Sequence, residues 1–162
     1  MPGEGIFIYT NFLTLPTKFV YNDRYTINKG NLSKEFPALS RGPLLLYIWD
    51  SIIRTDFLRE NNISFDESFK SGEEDRNFMF DCLRKFPDIV VNPKCYYNHY
   101  VRDTSTTANF SINRVNSVVK SASHEKKLVD LLKVGENYWE GQIIFYFKLY
   151  LNELMKNRNI DL

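Results

Sequence analysis

A chain of 162 residues with a hydrophobic share of 43% and only 7 Gly and 6 Pro is long enough to bury the core of one domain, and this composition excludes a disordered chain. The net charge is +1, with Lys and Arg mixed among Asp and Glu, so the electrostatic footprint of a dedicated nucleic-acid binder is missing. Aromatic residues reach 15%, which suits a domain that handles polar, ring-shaped ligands and an aromatic-rich core equally well.

Residues 5–13, with Ile6, Phe7, Ile8, Tyr9 and Phe12, read as a strand, and residues 18–21 as a strand pairing with it across the Leu15-Pro16-Thr17 turn. Residues 22–41 are polar and give no firm element beyond a turn at Asn28-Lys29-Gly30-Asn31. From 44 to 61, Leu45, Ile48, Trp49, Ile52, Ile53, Phe57 and Leu58 recur at helical spacing, and Asn61-Asn62 should end that helix. Residues 63–69 then cross in extended form.

The next stretch carries the chemistry. Ser71 and Glu74 form an S-x-x-E capping box, and Glu73, Glu74 and Asp75 crowd the positive end of the helix dipole. Helical steps from Asp75 meet Phe78, Met79, Cys82, Leu83 and Phe86, whereas Glu74 shares its face with Asn77, Asp81 and Lys85. Asp75 is therefore expected at the rim of the core, where burial tunes its protonation. The bland alternative is that the three acids only stabilise the helix start, by about 0.3–1 kcal/mol each.

Residues 88–92 read as a strand, Pro93 breaks it, and residues 96–102 read as another. Val115, Val118, Val119, Ala122, Val129 and Leu132 predict a helix that Gly135 stops. A last helix covers 137–157, with Trp139, Ile143, Phe147, Tyr150, Leu151 and Leu154 on one face, widened by Ile144, Phe145 and Leu149. Core packing is the usual reason for such a face; a partner or membrane-surface contact is the alternative. Cys82 and Cys95 lack metal-ligand spacing and read as free thiols of a reducing compartment. No signal peptide opens the chain, and the apolar run at 143–147 stops at Lys148, too short to cross a bilayer.

The order of Trp49-Asp50-Ser51-Ile52-Ile53-Arg54, Asn61-Asn62-Ile63-Ser64-Phe65, Gly72-Glu73-Glu74-Asp75-Arg76-Asn77-Phe78 and Tyr97-Asn98-His99-Tyr100-Val101-Arg102-Asp103-Thr104-Ser105 resembles glycosyltransferase family 2. The likeness is to the acceptor-side half of bacterial members that build capsular and lipopolysaccharide sugars on the GT-A fold, and covers about 44–107. It implies that Trp49 and Arg54 mark the segment before the active site and that Asp75, in the Glu-Asp pair, is the general base, with Glu74 placing the acceptor or bracing the loop. It further implies substrate-binding roles for Trp49, Glu73, Tyr97, Arg102 and Ser105, and places His99 where a second Tyr is usual. An inverting transfer needs such a base opposite the departing nucleotide diphosphate, whose charge is normally met by Mg²⁺ or Mn²⁺. Arg102 or a metal-bound His99 could help there. For His99 a hydrogen-bonded strand histidine is the stronger reading, because the chain has only 2 His. Trp49 reads more readily as core than as a sugar platform. Arg102 stands evenly between site and surface. A hydrolase built on Glu73, Glu74 and Asp75 is disfavoured, since neighbours on one helical turn do not oppose each other across a bond.

The family's D-x-D motif and Gly-rich phosphate loops have no counterpart in the chain. The expectation is thus an α/β, partial GT-A-like domain at 1–107, with a small mixed sheet flanked by helices, and a helical C-terminal extension at 108–162 packing on it. It would be a C-terminal fragment of a nucleotide-sugar-dependent transferase, inactive alone, whose parent acts on a glycan hydroxyl in the cytoplasm or at the inner face of the membrane and supplies an N-terminal nucleotide-binding half. The rival expectation is a non-enzymatic module that binds a partner or membrane surface through the aromatic C-terminal helix.

Overall fold

The computed structural model of the protein describes residues 6–9, 24–41, 48–92 and 111–156. Among these residues the sheet has four strands, β1 (Ile6–Tyr9), β2 (Tyr25–Ile27), β3 (Ser51–Ile53) and β4 (Ile89–Asn92), in the order β2-β4-β1-β3. β1 runs parallel to β4, pairing Ile6 with Ile89 and Tyr9 with Asn92, and antiparallel to β3, pairing Ile6 with Ile53. β2 closes the other side, antiparallel to β4. The sheet is mixed, small and flanked by helices, with a helical C-terminal part, as the sequence leads one to expect. β3 and β4 flank β1 on its two sides, and residues 18–21, expected as its hairpin partner, lie outside the described residues.

Two elements correct the sequence reading. The polar stretch contains β2 and then helix α1 (Leu32–Arg41), which forms despite Pro37 because Leu32, Phe36 and Leu39 repeat at helical spacing and are fully buried. The Asn28 turn feeds it: Asn28 Oδ1 accepts from the Gly30 N–H at 2.9 Å, and the Leu32 N–H donates back to the Asn28 carbonyl at 2.8 Å. The helix expected over 44–61 is instead a 3₁₀ turn (Ile48–Asp50), then β3, then a short helix α2 (Thr55–Glu60). A short apolar run fits either period, and pairing with β1 decides for strand, turning Ile53 inward and leaving Ile52 58% exposed. Asn61 and Asn62 do end the helix: Asn62 adopts φ 53°, and the Ile63 N–H closes back on the Leu58 carbonyl at 2.9 Å.

Helix α3 (Glu74–Leu83) lies in the centre, with Phe78, Met79, Phe80, Cys82 and Leu83 in the core beside Ile27, Ile89 and Val91. Helix α4 (Ile112–Leu132) packs on α3, and α5 (Glu136–Lys156) packs on α4. α4 ends earlier than Gly135 suggests, with Lys133 in the left-handed conformation at φ 55°. Val119, assigned to its buried face by spacing, is 59% exposed.

Much of the face of α5 assigned to the core points outward, although Trp139 packs against the core and Phe145, Leu149 and Tyr150 are half-buried. Ile143, Ile144, Phe147, Leu151, Leu154 and Met155 are exposed, while Tyr138, Gln142, Tyr146 and Glu153 are buried against α4. Polar partners waiting on α4 explain the reversal, as the site geometry shows.

Candidate active site

Asp75 and Glu74 occupy the first turn of α3. Asp75 is half-buried at the rim of the core, as its helical register predicts, and the backbone N–H of Ile48 donates to its carboxylate. The 3₁₀ turn carrying Trp49 is thereby held against the start of α3. Burial, reinforced by the charge of Glu74, pushes the Asp75 carboxyl above its usual range, and the Ile48 hydrogen bond opposes that only in part. Beside it, Glu74 Oε2 is buried without a hydrogen-bond partner among the described residues. Two neighbouring carboxylates, one raised in basicity and one with an unused acceptor, can take a proton from a hydroxyl and orient it.

Ser71 does not cap the helix. The N-cap is Glu73, in the left-handed conformation at φ 68° and without a side-chain cap bond, preceded by Gly72 at φ 97°. Ser71 Oγ instead lies 3.3 Å from Ser111 Oγ, and the Glu73 carboxylate stands 3.6 Å from the Arg114 guanidinium. Glu73, expected to bind substrate, is thus committed to an ion pair. Arg54 pairs with the neighbouring Asp56 on the surface. Trp49 is half-buried. Tyr97, His99, Arg102, Ser105 and Cys95 lie outside the described residues; Cys82 is a buried free thiol whose burial pushes its pKa up to about 12.

Immediately behind Asp75 lies a cluster that sequence reasoning missed. Arg76, 3% exposed, donates from Nη2 to Glu125 Oε2 at 3.0 Å, and Glu125 is fully buried. Tyr146 donates to the same carboxylate at 2.6 Å and Tyr138 to its other oxygen, so α3, α4 and α5 meet on one anion. The rings of Phe80, Phe145 and Tyr146 stand 5.1–5.4 Å from the guanidinium carbon. Asn77 Nδ2 adds a bond to Ser121 Oγ at 3.1 Å. The signal was there: Ser117, Ser121 and Glu125 on α4 and Tyr138, Gln142 and Tyr146 on α5 recur every four residues, forming polar stripes that face each other.

Among the described residues no group of three or more His, Cys, Asp or Glu could hold a metal ion; His99 lies outside them. A groove of about 420 Å³, lined in part by Asn61, Phe65, Asp81 and Arg84, lies at the opposite end of α3 and does not include Asp75. No described helix is long and apolar enough to cross a membrane.

The chain is similar to the processive diacylglycerol beta-glycosyltransferase of Mycoplasma genitalium, 24% identical over 156 residues, which cover 88% of the chain and 43% of that protein. The likeness is to a glycosyltransferase. The chain spans less than half the length of this curated relative. No family model matches it, and no solved structure matches it. The similarity does not separate family 2 or the GT-A fold from other glycosyltransferases.

Proposed function

We propose that the chain is the acceptor-side part of an inverting, nucleotide-sugar-dependent glycosyltransferase of family 2, in which Asp75 is the general base and Glu74 orients the acceptor hydroxyl. The observation that carries this reading is Asp75 itself: a half-buried carboxylate of raised basicity at the start of the central helix, next to an acid with a free buried oxygen. The hydroxyl of the acceptor would give its proton to Asp75 as the oxygen attacks the anomeric carbon, and the nucleotide diphosphate would leave from the opposite face. Trp49 follows Ile48, whose backbone N–H bonds Asp75, and on this reading would border the acceptor. A divalent metal would have to be held outside the described residues.

The acceptor on the sequence reading is a cell-surface glycan of the capsular or lipopolysaccharide kind, elongated on the cytoplasmic side of the membrane. The outward apolar face of α5 favours a second reading, shared with the non-enzymatic alternative, in which this helix rests on a membrane surface. The relative's diacylglycerol acceptor, a lipid, agrees with it.

Asp75→Asn in the full-length enzyme tests the base: kcat for transfer should fall by about 10²–10⁴-fold with the fold retained. Near-normal turnover would remove Asp75 from the mechanism. For the second reading, Ile144→Glu with Phe147→Glu should abolish cosedimentation with lipid vesicles while changing stability by less than about 0.5 kcal/mol per site. Unaltered cosedimentation, or none in the parent chain, would reject it.

A further inference from the structure

The loop in front of Asp75 adopts a conformation that its own sequence does not favour. Gly72 at φ 97° suits glycine, but Glu73 at φ 68° is a side-chain-bearing residue in the left-handed region, where its Cβ crowds the backbone. No side chain caps α3 to offset this. Such strain persists only where the surroundings impose it.

Arg114, in the first turn of α4, imposes it. Its Nη1 donates to the Ser71 carbonyl at 3.2 Å, its Nη2 stands 3.6 Å from Glu73 Oε1, and its Nε stands 3.3 Å from Glu153 Oε2 on α5. All three side chains are shielded, at 18%, 10% and 4% exposure for Arg114, Glu73 and Glu153, so solvent screens these pairs less than at an open surface. The guanidinium lies so close to Gly72 that a Cβ there would sit 2.0 Å from Nη1. From the other side, the backbone N–H and Nδ2 of Asn77 both donate to the Glu73 carbonyl, at 3.0 and 2.6 Å.

We propose that Arg114 is a positioning residue for Asp75: by clamping residues 71–73 onto α4 and α5, it makes α3 begin at Glu74 and keeps the Asp75 carboxylate under the Ile48 N–H. Its consequence for activity rests on the reading of Asp75 as the base. Arg114 is not placed against substrate, and it acts through the loop alone. Gly72 belongs to the same device, since a larger residue would displace the guanidinium and strain the turn.

Two effects of removing Arg114 have opposite signs, which makes the test sharp. Loss of a positive charge alone would raise the Asp75 midpoint further, because a nearby cation favours the carboxylate. Release of the loop would expose Asp75 and lower the midpoint towards the ordinary 3.8. The experiment is a carboxyl-carbon NMR titration of Asp75 in this chain as wild type, Arg114→Ala and Arg114→Lys, with a cooperative unfolding transition required of each. The expected result is a downward shift in Arg114→Ala. Arg114→Lys keeps the charge but not the three-way geometry, and should give a midpoint between the two; it also serves if Arg114→Ala does not fold. An unchanged or raised midpoint in Arg114→Ala, or a wild-type midpoint in Arg114→Lys if that is the variant that folds, overturns the proposal. In the full-length enzyme, Arg114→Ala should lower kcat by about 10–100-fold and move the acidic limb of kcat/KM to lower pH. The titration needs no sugar transfer, so the clamp and the base can fail separately: Asp75→Asn decides the base, and the Asp75 midpoint decides the clamp.

Discussion

Replacing Glu125 by Gln tests whether the buried cluster behind Asp75 holds the three helices together. In the wild type, Glu125 is fully buried, and accepts from Arg76 at 3.0 Å, Tyr146 at 2.6 Å and Tyr138. Gln keeps the size but not the charge, so the Arg76 guanidinium, at 3% exposure, is left in the interior without its anion. Breaking a buried pair from one side costs about 3–5 kcal/mol, against a total stability of about 5–15 kcal/mol for a single domain. At about 2–4 °C per kcal/mol for a chain of this size, the melting temperature should fall by about 6–20 °C. Urea unfolding followed by tryptophan fluorescence and far-UV circular dichroism reads the loss as a lower midpoint at unchanged slope. Removing both charges, as in Arg76→Met with Glu125→Leu, should restore much of it, because a packed apolar pair is often as stable as the ion pair that it replaces. Adding Tyr146→Phe removes a phenol that has lost its short bond to Glu125 and keeps only the longer one to Ser121 Oγ at 3.4 Å, and should restore more. A loss below about 1 kcal/mol in Glu125→Gln, or a double variant no better than the single one, would refute a buried pair.

Asp75→Asn should raise stability at pH 7 while it removes transfer. Burial and Glu74 raise the folded Asp75 midpoint above the unfolded one, so the acid form favours the fold and the contribution is lost as pH rises through the folded midpoint. The gain of the Asn variant in urea midpoint should therefore vanish below about pH 4, where both states are protonated. Cys82 gives an alkaline counterpart: its thiol is pushed from 9.0 to about 12 by burial, so its contribution is complete below about pH 9 and declines above it. Roughly 3 kcal/mol should be gone by pH 11 from this group, Cys82→Ala should remove that part of the pH dependence, and the native thiol should resist alkylation at pH 8 until the chain is unfolded.

The elements that the sequence made legible are those whose local pattern and tertiary role agree. Ile89, Val90 and Val91 read as a strand and are one, because a β-branched run between Pro87 and Pro93 has few other options. The extents of α4 and α5 come within a few residues of the structure, since 3.6-residue periodicity over about twenty positions is hard to mistake. Asp75 was placed at the core rim by register alone, and the surrounding fold supplies the burial that alters its chemistry. By contrast, Ile52 and Ile53 fit a helix as well as a strand, and only the presence of β1 alongside selects the strand.

What the sequence determined by itself is periodicity: which segments are helix or strand when long enough, and which residues share a face. Only the tertiary structure decided which face is covered. On α5 the apolar face lies outside, because Tyr138 and Tyr146 donate to the Glu125 carboxylate that Arg76 alone would leave only partly hydrogen-bonded, and an under-satisfied buried anion is far more unfavourable than an exposed leucine. The same logic moved the cap of α3. A Ser at position 71 can cap a helix in isolation, but Arg114 takes its carbonyl and the Glu73 side chain, and the turn folds around that cation instead.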